Sequence, residues 1–211
     1  SKKLHNKIGT ILTLHGKEDR ARFVEWYFAT NEEKDIEEYF KLVFLGLSHT
    51  IMVENKSEAI ENAKGEMYKS LCSNNLYNGD KSYAFMQLLR RNIEEDSKLG
   101  RKFDFSIWSE RSLEHIYPKS KFYRIETTDN GVKRYIRGDG DEIEEKDTRG
   151  LIDEAKFKEK GNEHCIGNLV LLYKNENSGF GAKSFDDKKS IYFNVDADKP
   201  FRSRHLLHTI S

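Results

Sequence analysis

The hydrophobic period of the chain changes at Gly100, from one apolar face per helical turn to the alternation expected of strands. That switch excludes a lone bundle and a lone sheet. It predicts an α+β chain, with a helical bundle over residues 1–100 and a strand-containing domain over 101–211. Leu4, Ile8, Ile11 and Leu12 mark a first helix to Leu14, and Phe23, Trp26 and Tyr27 a second from Asp19 to Ala29. Asn31 is the expected N-cap of a third, with Glu32, Glu33 and Asp35 where the helix dipole favours acids. Its stripe runs Ile36, Phe40, Val43, Phe44, Leu47, Ile51. Ser57 opens a fourth helix with Ile60, Ala63, Met67 and Leu71 on one face, and Asn74-Asn75 and Asn78-Gly79 break the pattern. Asp80 caps a fifth through about Glu95, with Phe85, Leu88 and Leu89 inward. These stripes are core, no catalytic cluster lies among them, and the bundle reads as an interaction or connecting module.

Beyond Gly100, Phe103, Phe105 and Ile107 alternate, and Ser112–Tyr117 forms a strand-like run. Lys121–Thr127 and Val132–Arg137 flank Asp129-Asn130-Gly131, which predicts a hairpin with a type I′ turn. Arg149–Lys160 reads as one short helix, Gly161-Asn162-Glu163 as a turn, and Cys165–Tyr173 as a strand. Polar residues fill Lys174–Ser184; Ser184 then caps a helix through about Phe193 with Asp186 and Asp187 in its first turn. A terminal helical segment is expected over Phe201–Ile210.

Charge and cysteine content narrow the chemistry. Lys plus Arg and Asp plus Glu both number 36, so no global field steers the chain onto nucleic acid. Locally, residues 111–137 carry seven bases against three acids and 139–154 eight acids against two bases, so the second block is expected to face away from phosphate. Cys72 and Cys165 lie far apart, which leaves neither a disulfide framework nor a cysteine zinc site, and any metal must be held by oxygen or His. With no membrane-length apolar run and no signal-peptide core, the expectation is a cytoplasmic protein. The start on Ser1, directly in a helical pattern, reads as an excised piece of something longer.

Polar residues placed inside apolar runs carry the functional signal. Glu114 and His115 stand at the end of a short strand that Pro118 forces to turn, and Asn168 interrupts the apolar Ile166–Leu172 run. Adjacent strand residues point to opposite faces, so Glu114 and His115 share one centre only if the strand end is distorted. Asn177, nine positions after Asn168, would by itself be a loop residue.

Together, Glu114-His115-Ile116-x-Pro118, then Ile166-Gly167-Asn168-Leu169-x-Leu171-Leu172, then Asn177 and the helix from Ser184-Phe185-Asp186-Asp187-Lys188-Lys189 resemble a known nuclease module. It is the HNH domain at the C-terminus of GmrSD-type and SspE-type restriction proteins, a branch of the His-Me finger (ββα-metal) nucleases. The resemblance covers roughly residues 105–195, and the step from Asn168 to Asn177 is also similar to that in the HNH domain of the RNA-guided CRISPR nuclease.

The resemblance implies a ββα-metal domain with a β-hairpin insertion over 119–160, cutting DNA one strand at a time, so that nicks result unless two copies act together as a homo-oligomer. His115 would be the general base, Asn168 the residue ordering the loop that supports it, and Glu114 and Asn177 the ligands of Mg²⁺ or Mn²⁺. Lys188 matches the family's helix lysine, for a phosphate contact or a structural role, and Lys119 and Lys183 are further candidates for substrate binding. Asn175 and Glu176 compete with Asn177 as ligand. His164, and the His205/His208 pair, read as packing or hydrogen-bonding residues.

The chemistry asks for the same types. Imidazole accepts a proton near neutral pH, and a carboxylate with an amide oxygen suits a hard cation that offsets phosphate charge. No structural zinc is expected, because the Cys-x-x-Cys pairs of many HNH proteins are missing. In the relatives an N-terminal NTP-binding domain precedes this module, and its signature is not found here, so that half is expected on the rest of the polypeptide or on a partner subunit. The rival reading is a non-catalytic DNA-binding or assembly module with a decayed site; an RNase is a third.

Overall fold

The computed structural model describes residues 1–29, 33–73, 76–77, 81–158 and 164–194. The expected caps Asn31 and Asp80, the Asn74-Asn75 and Asn78-Gly79 breaks, the Gly161–Glu163 turn and the terminal helix with His205 and His208 lie outside them. Two compact units result: Ser1–Leu71 with Ser82–Glu110, and Cys72–Lys81 with Arg111–Ser211. By contacts the chain divides between Glu110 and Arg111, and Cys72–Lys81 groups with the C-terminal unit.

In the first unit, helices α1 (Lys2–Leu14), α2 (Lys17–Ala29), α3 (Glu33–Phe44), α4 (Ser57–Leu71) and α5 (Ser82–Lys98) follow the sequence pattern. Helix α1 packs on α3 and α5, and α4 on α5, around Ile11, Ile36, Phe40, Leu42, Met67, Leu89 and Ile93. A buried amide closes the bundle: Asn6 donates to Ser97 Oγ and to the Arg101 carbonyl, both at 2.9 Å, and accepts from the Phe103 N–H at 2.9 Å. Every polar atom of that side chain is thus bonded, as burial requires.

Two expectations fail in this unit. Helix α3 stops at Phe44, so Leu47 and Ile51 lie beyond it. Gly46 takes φ +70° while its N–H bonds Val43 O and the Leu47 N–H bonds Leu42 O, a Schellman stop that only glycine enters without strain. The alternating Phe103, Phe105 and Ile107 form no strand: Phe105–Trp108 is a 3₁₀ turn, capped by Asp104, whose carboxylate accepts from the Ser106 N–H at 3.0 Å.

Among the described residues the C-terminal unit contains two sheets. Strands β1 (Arg111–His115) and β6 (Leu169–Tyr173) pair antiparallel, His115 opposite Leu169 and Glu114 opposite Val170. The second sheet has the order β4 (Glu142–Ile143), β3 (Lys133–Arg137), β2 (Phe122–Thr127), β5 (Ile152–Asp153), with β2 parallel to β5 and the other pairs antiparallel. Helix α6 (Glu154–Lys158) follows β5 and replaces part of the single helix expected from Arg149. Helices α7 (Lys174–Phe180) and α8 (Phe185–Tyr192) cover β1 and β6 around Ile116, Val170, Leu172 and Phe180, with Phe185, Ile191 and Tyr192 packed against them.

The hairpin is present, but its turn differs from the expected type I′. Among the described residues only glycines have positive φ, so Asn130 stays right-handed and Gly131 alone takes +77°. Gly131 N–H bonds Thr128 O and Thr128 N–H bonds Val132 O, which is a type I turn completed by a left-handed glycine. Two more differences shape the site. Ile166–Asn168 is a 3₁₀ turn leading into β6, not the start of the strand, and Asn177 sits on a helix instead of a loop.

Candidate active site

Strand β1 delivers two neighbouring side chains to two different environments. Its pairing with β6 continues without a bulge through His115. Glu114 faces α8, where Lys188 donates to its Oε1 at 2.5 Å and to the His115 carbonyl at 2.6 Å. Lys188 is 4% exposed. Of the two roles the resemblance leaves open for it, this geometry supports the structural one: the ammonium pins the end of β1 from beneath.

His115 is buried on the other side, its Nε2 3.1 Å from His164 Nδ1. The Tyr77 ring lies 4.2 Å from the His115 ring and stacks on His164 at 5.7 Å with an 11° interplanar angle. Burial, then the neighbouring His164 and the ammonium groups of Lys119, Lys188 and Lys81, pull the His115 pKa down to about 3. The imidazole is thus uncharged at neutral pH, and it accepts a proton less readily than a free histidine does. Burial pushes the Glu114 carboxyl up, against the pull of Lys188.

Asn168 clamps the chain where it leaves β1. Its Oδ1 accepts from the Tyr117 N–H at 2.9 Å, its Nδ2 donates to Tyr117 O at 3.1 Å, and its own carbonyl accepts from the Ile116 N–H at 2.9 Å. Asn177 donates to Ser112 Oγ at 2.5 Å and to Leu113 O at 3.2 Å, so it lies on the Ser112 and Glu114 face of β1. Asn175 turns its Oδ1 back onto the Glu176 N–H at 3.0 Å. Glu176 is buried. Lys183 is spent on the carbonyls of Gly179, at 3.0 Å, and Phe180 at the end of α7. Lys119 instead lies beside Tyr77, 5.9 Å from the ring centroid.

A hard divalent cation fits the donor types. Glu114 supplies a carboxylate, and Asn177 an amide whose nitrogen is held by Ser112 and Leu113 and whose oxygen is thereby oriented. Among the described residues no three His, Cys, Asp or Glu side chains cluster. A cation here would therefore keep much of its shell as water and substrate oxygen, which is the habit of Mg²⁺.

Sequence reasoning missed Tyr77 and Lys81. Both come from the segment between α4 and α5, where no periodicity marks them, and only the fold brings them to His115.

The chain belongs to a family of restriction nucleases. That family is described as GmrSD restriction endonucleases, C-terminal domain, and its model matches residues 62–208. Comparison with curated proteins and with solved structures finds no match.

Proposed function

We propose that this chain hydrolyses phosphodiester bonds in DNA through an HNH-type, ββα-metal site, one strand per site, as the cutting part of a system that restricts phage or foreign DNA. The observation that carries the reading is His115, buried at the end of β1 and braced by the Asn168 clamp on Tyr117. In this scheme His115 takes the proton of the attacking water, Asn168 holds the turn that aims it, and Lys188 fixes the end of β1. Glu114 and Asn177 would hold Mg²⁺ or Mn²⁺, which when bound offsets charge on the phosphate and the leaving oxygen. DNA as substrate makes the cytoplasm its place of work, and an NTP-binding region elsewhere on the polypeptide or on a partner would supply control. No described helix is long and apolar enough to cross a membrane.

Supercoiled plasmid incubated with the protein and Mg²⁺ tests this. Nicked circles are expected, lost on chelation and lowered at least about a hundredfold in His115→Ala, the usual weight of a general base. Asn177→Ala should raise the Mg²⁺ concentration needed. Undiminished nicking by His115→Ala would overturn the assignment, and binding without any cleavage would favour a non-catalytic module. Equal or faster cleavage of RNA would make it an RNase.

A further inference from the structure

Of the 36 Lys and Arg side chains, thirteen sit in ion pairs with carboxylates among the described residues. Lys81 and Lys119 are different. Both are half-buried, yet neither is ion-paired with any described residue. They converge on one aromatic ring: Lys81 Nζ lies 4.1 Å and Lys119 Nζ 5.9 Å from the Tyr77 centroid. That same ring rests against His115 and His164. Two ammonium groups around one ring beside a buried imidazole would be favoured by a nearby anion, and an aromatic face alone returns only part of their desolvation cost.

We propose that Tyr77, Lys81 and Lys119 form the seat of a DNA backbone phosphate beside His115. The inference rests on the nuclease reading and adds substrate contacts that the family motif does not contain. Lys81 and Lys119 act as point-charge donors to phosphate oxygens, while Tyr77 holds them apart from the imidazoles and fixes the distance between phosphate and base. Tyr77 and Lys81 group with the C-terminal unit, as do His115 and Lys119.

Binding measured apart from cleavage decides the matter. Anisotropy of a fluorescein-labelled DNA duplex, titrated with the whole chain in EDTA at several salt concentrations, gives the dependence of Kd on salt. Removing both charges in Lys81→Gln/Lys119→Gln should flatten the log–log slope by about 0.9, the value for one phosphate left unneutralised. Lys81→Arg should restore its share. Tyr77→Leu should weaken binding while leaving the slope nearer that of the parent, since the charges remain.

An unchanged slope in the double variant overturns the seat, as does a parent chain that binds the duplex without salt dependence. Displacement of the duplex by inorganic phosphate, beyond that by chloride at matched ionic strength, would assign the site to free phosphate and also overturn it. The nuclease reading fails separately: a chain that loses the slope in the double variant but never nicks plasmid has the seat without the activity. A chain that nicks equally well with and without the two lysines has the activity without the seat.

Discussion

At the scale of single residues, the Lys188–Glu114 pair sets the strongest constraint on the C-terminal unit. Its two side chains are 5% and 13% exposed. A buried pair adds little net stability, because desolvation offsets attraction, but removal of one partner strands a charge in a medium that disfavours it. Lys188→Met is therefore expected to cost about 3–5 kcal/mol in urea unfolding, and Lys188→Met/Glu114→Gln should recover most of that loss. A single variant as stable as the parent would mean that Glu114 reaches water. This pair could be anticipated only through the spacing of a known family. His115 and Asn168 were legible more directly, since a buried strand has no packing reason for an imidazole or an amide. Lys81 and Tyr77 were not legible, because their neighbours are set by long-range packing and their own segment has no period.

At the scale of elements, the long insertion gains a purpose from one glycine. Gly138, just past β3, donates its N–H to Phe122 O at 2.9 Å, and a Cβ built on it would collide with the backbone carbonyl of Lys119. The four-stranded sheet thereby presses against the 3₁₀ turn Lys119–Lys121 and sets where Lys119 stands. Backbone cannot swing aside as a side-chain tip can, so Gly138→Ala should cost about 1–3 kcal/mol. It should also weaken duplex binding as Lys119→Gln does, although it removes no charge. A variant that loses stability but binds DNA with the parent's affinity and salt slope would separate the insertion from the site. Elements were legible where a whole apolar face repeats, as in α1, α4 and α5. They were obscured where short-range bonding overrides pattern: Gly46 ends α3 inside its apolar stripe, and the seven residues of α7 carry Phe180 as their one large apolar side chain.

At the scale of the whole molecule, equal numbers of acids and bases leave a net charge of +0. Attraction to DNA must then come from local groups, because a neutral body produces little field beyond a Debye length of about 10 Å at 0.1 M salt. The eight acids of residues 139–154 reinforce this, being tied up locally in part, with Asp139 and Asp141 on Arg137 and Glu142 on Arg134. Encounter with a duplex should therefore proceed at the unsteered rate of about 10⁵–10⁶ M⁻¹s⁻¹ and change little with ionic strength. Dissociation, which breaks the close contacts at Lys81 and Lys119, should carry most of the salt dependence. Stopped-flow anisotropy across a salt series separates the two rates. An association rate that falls steeply with salt would mean that a local basic surface of this chain steers it despite the neutral total charge. A flat association rate with a salt-sensitive dissociation rate would make this chain a cutter that holds DNA by few contacts and depends on another part to bring it there.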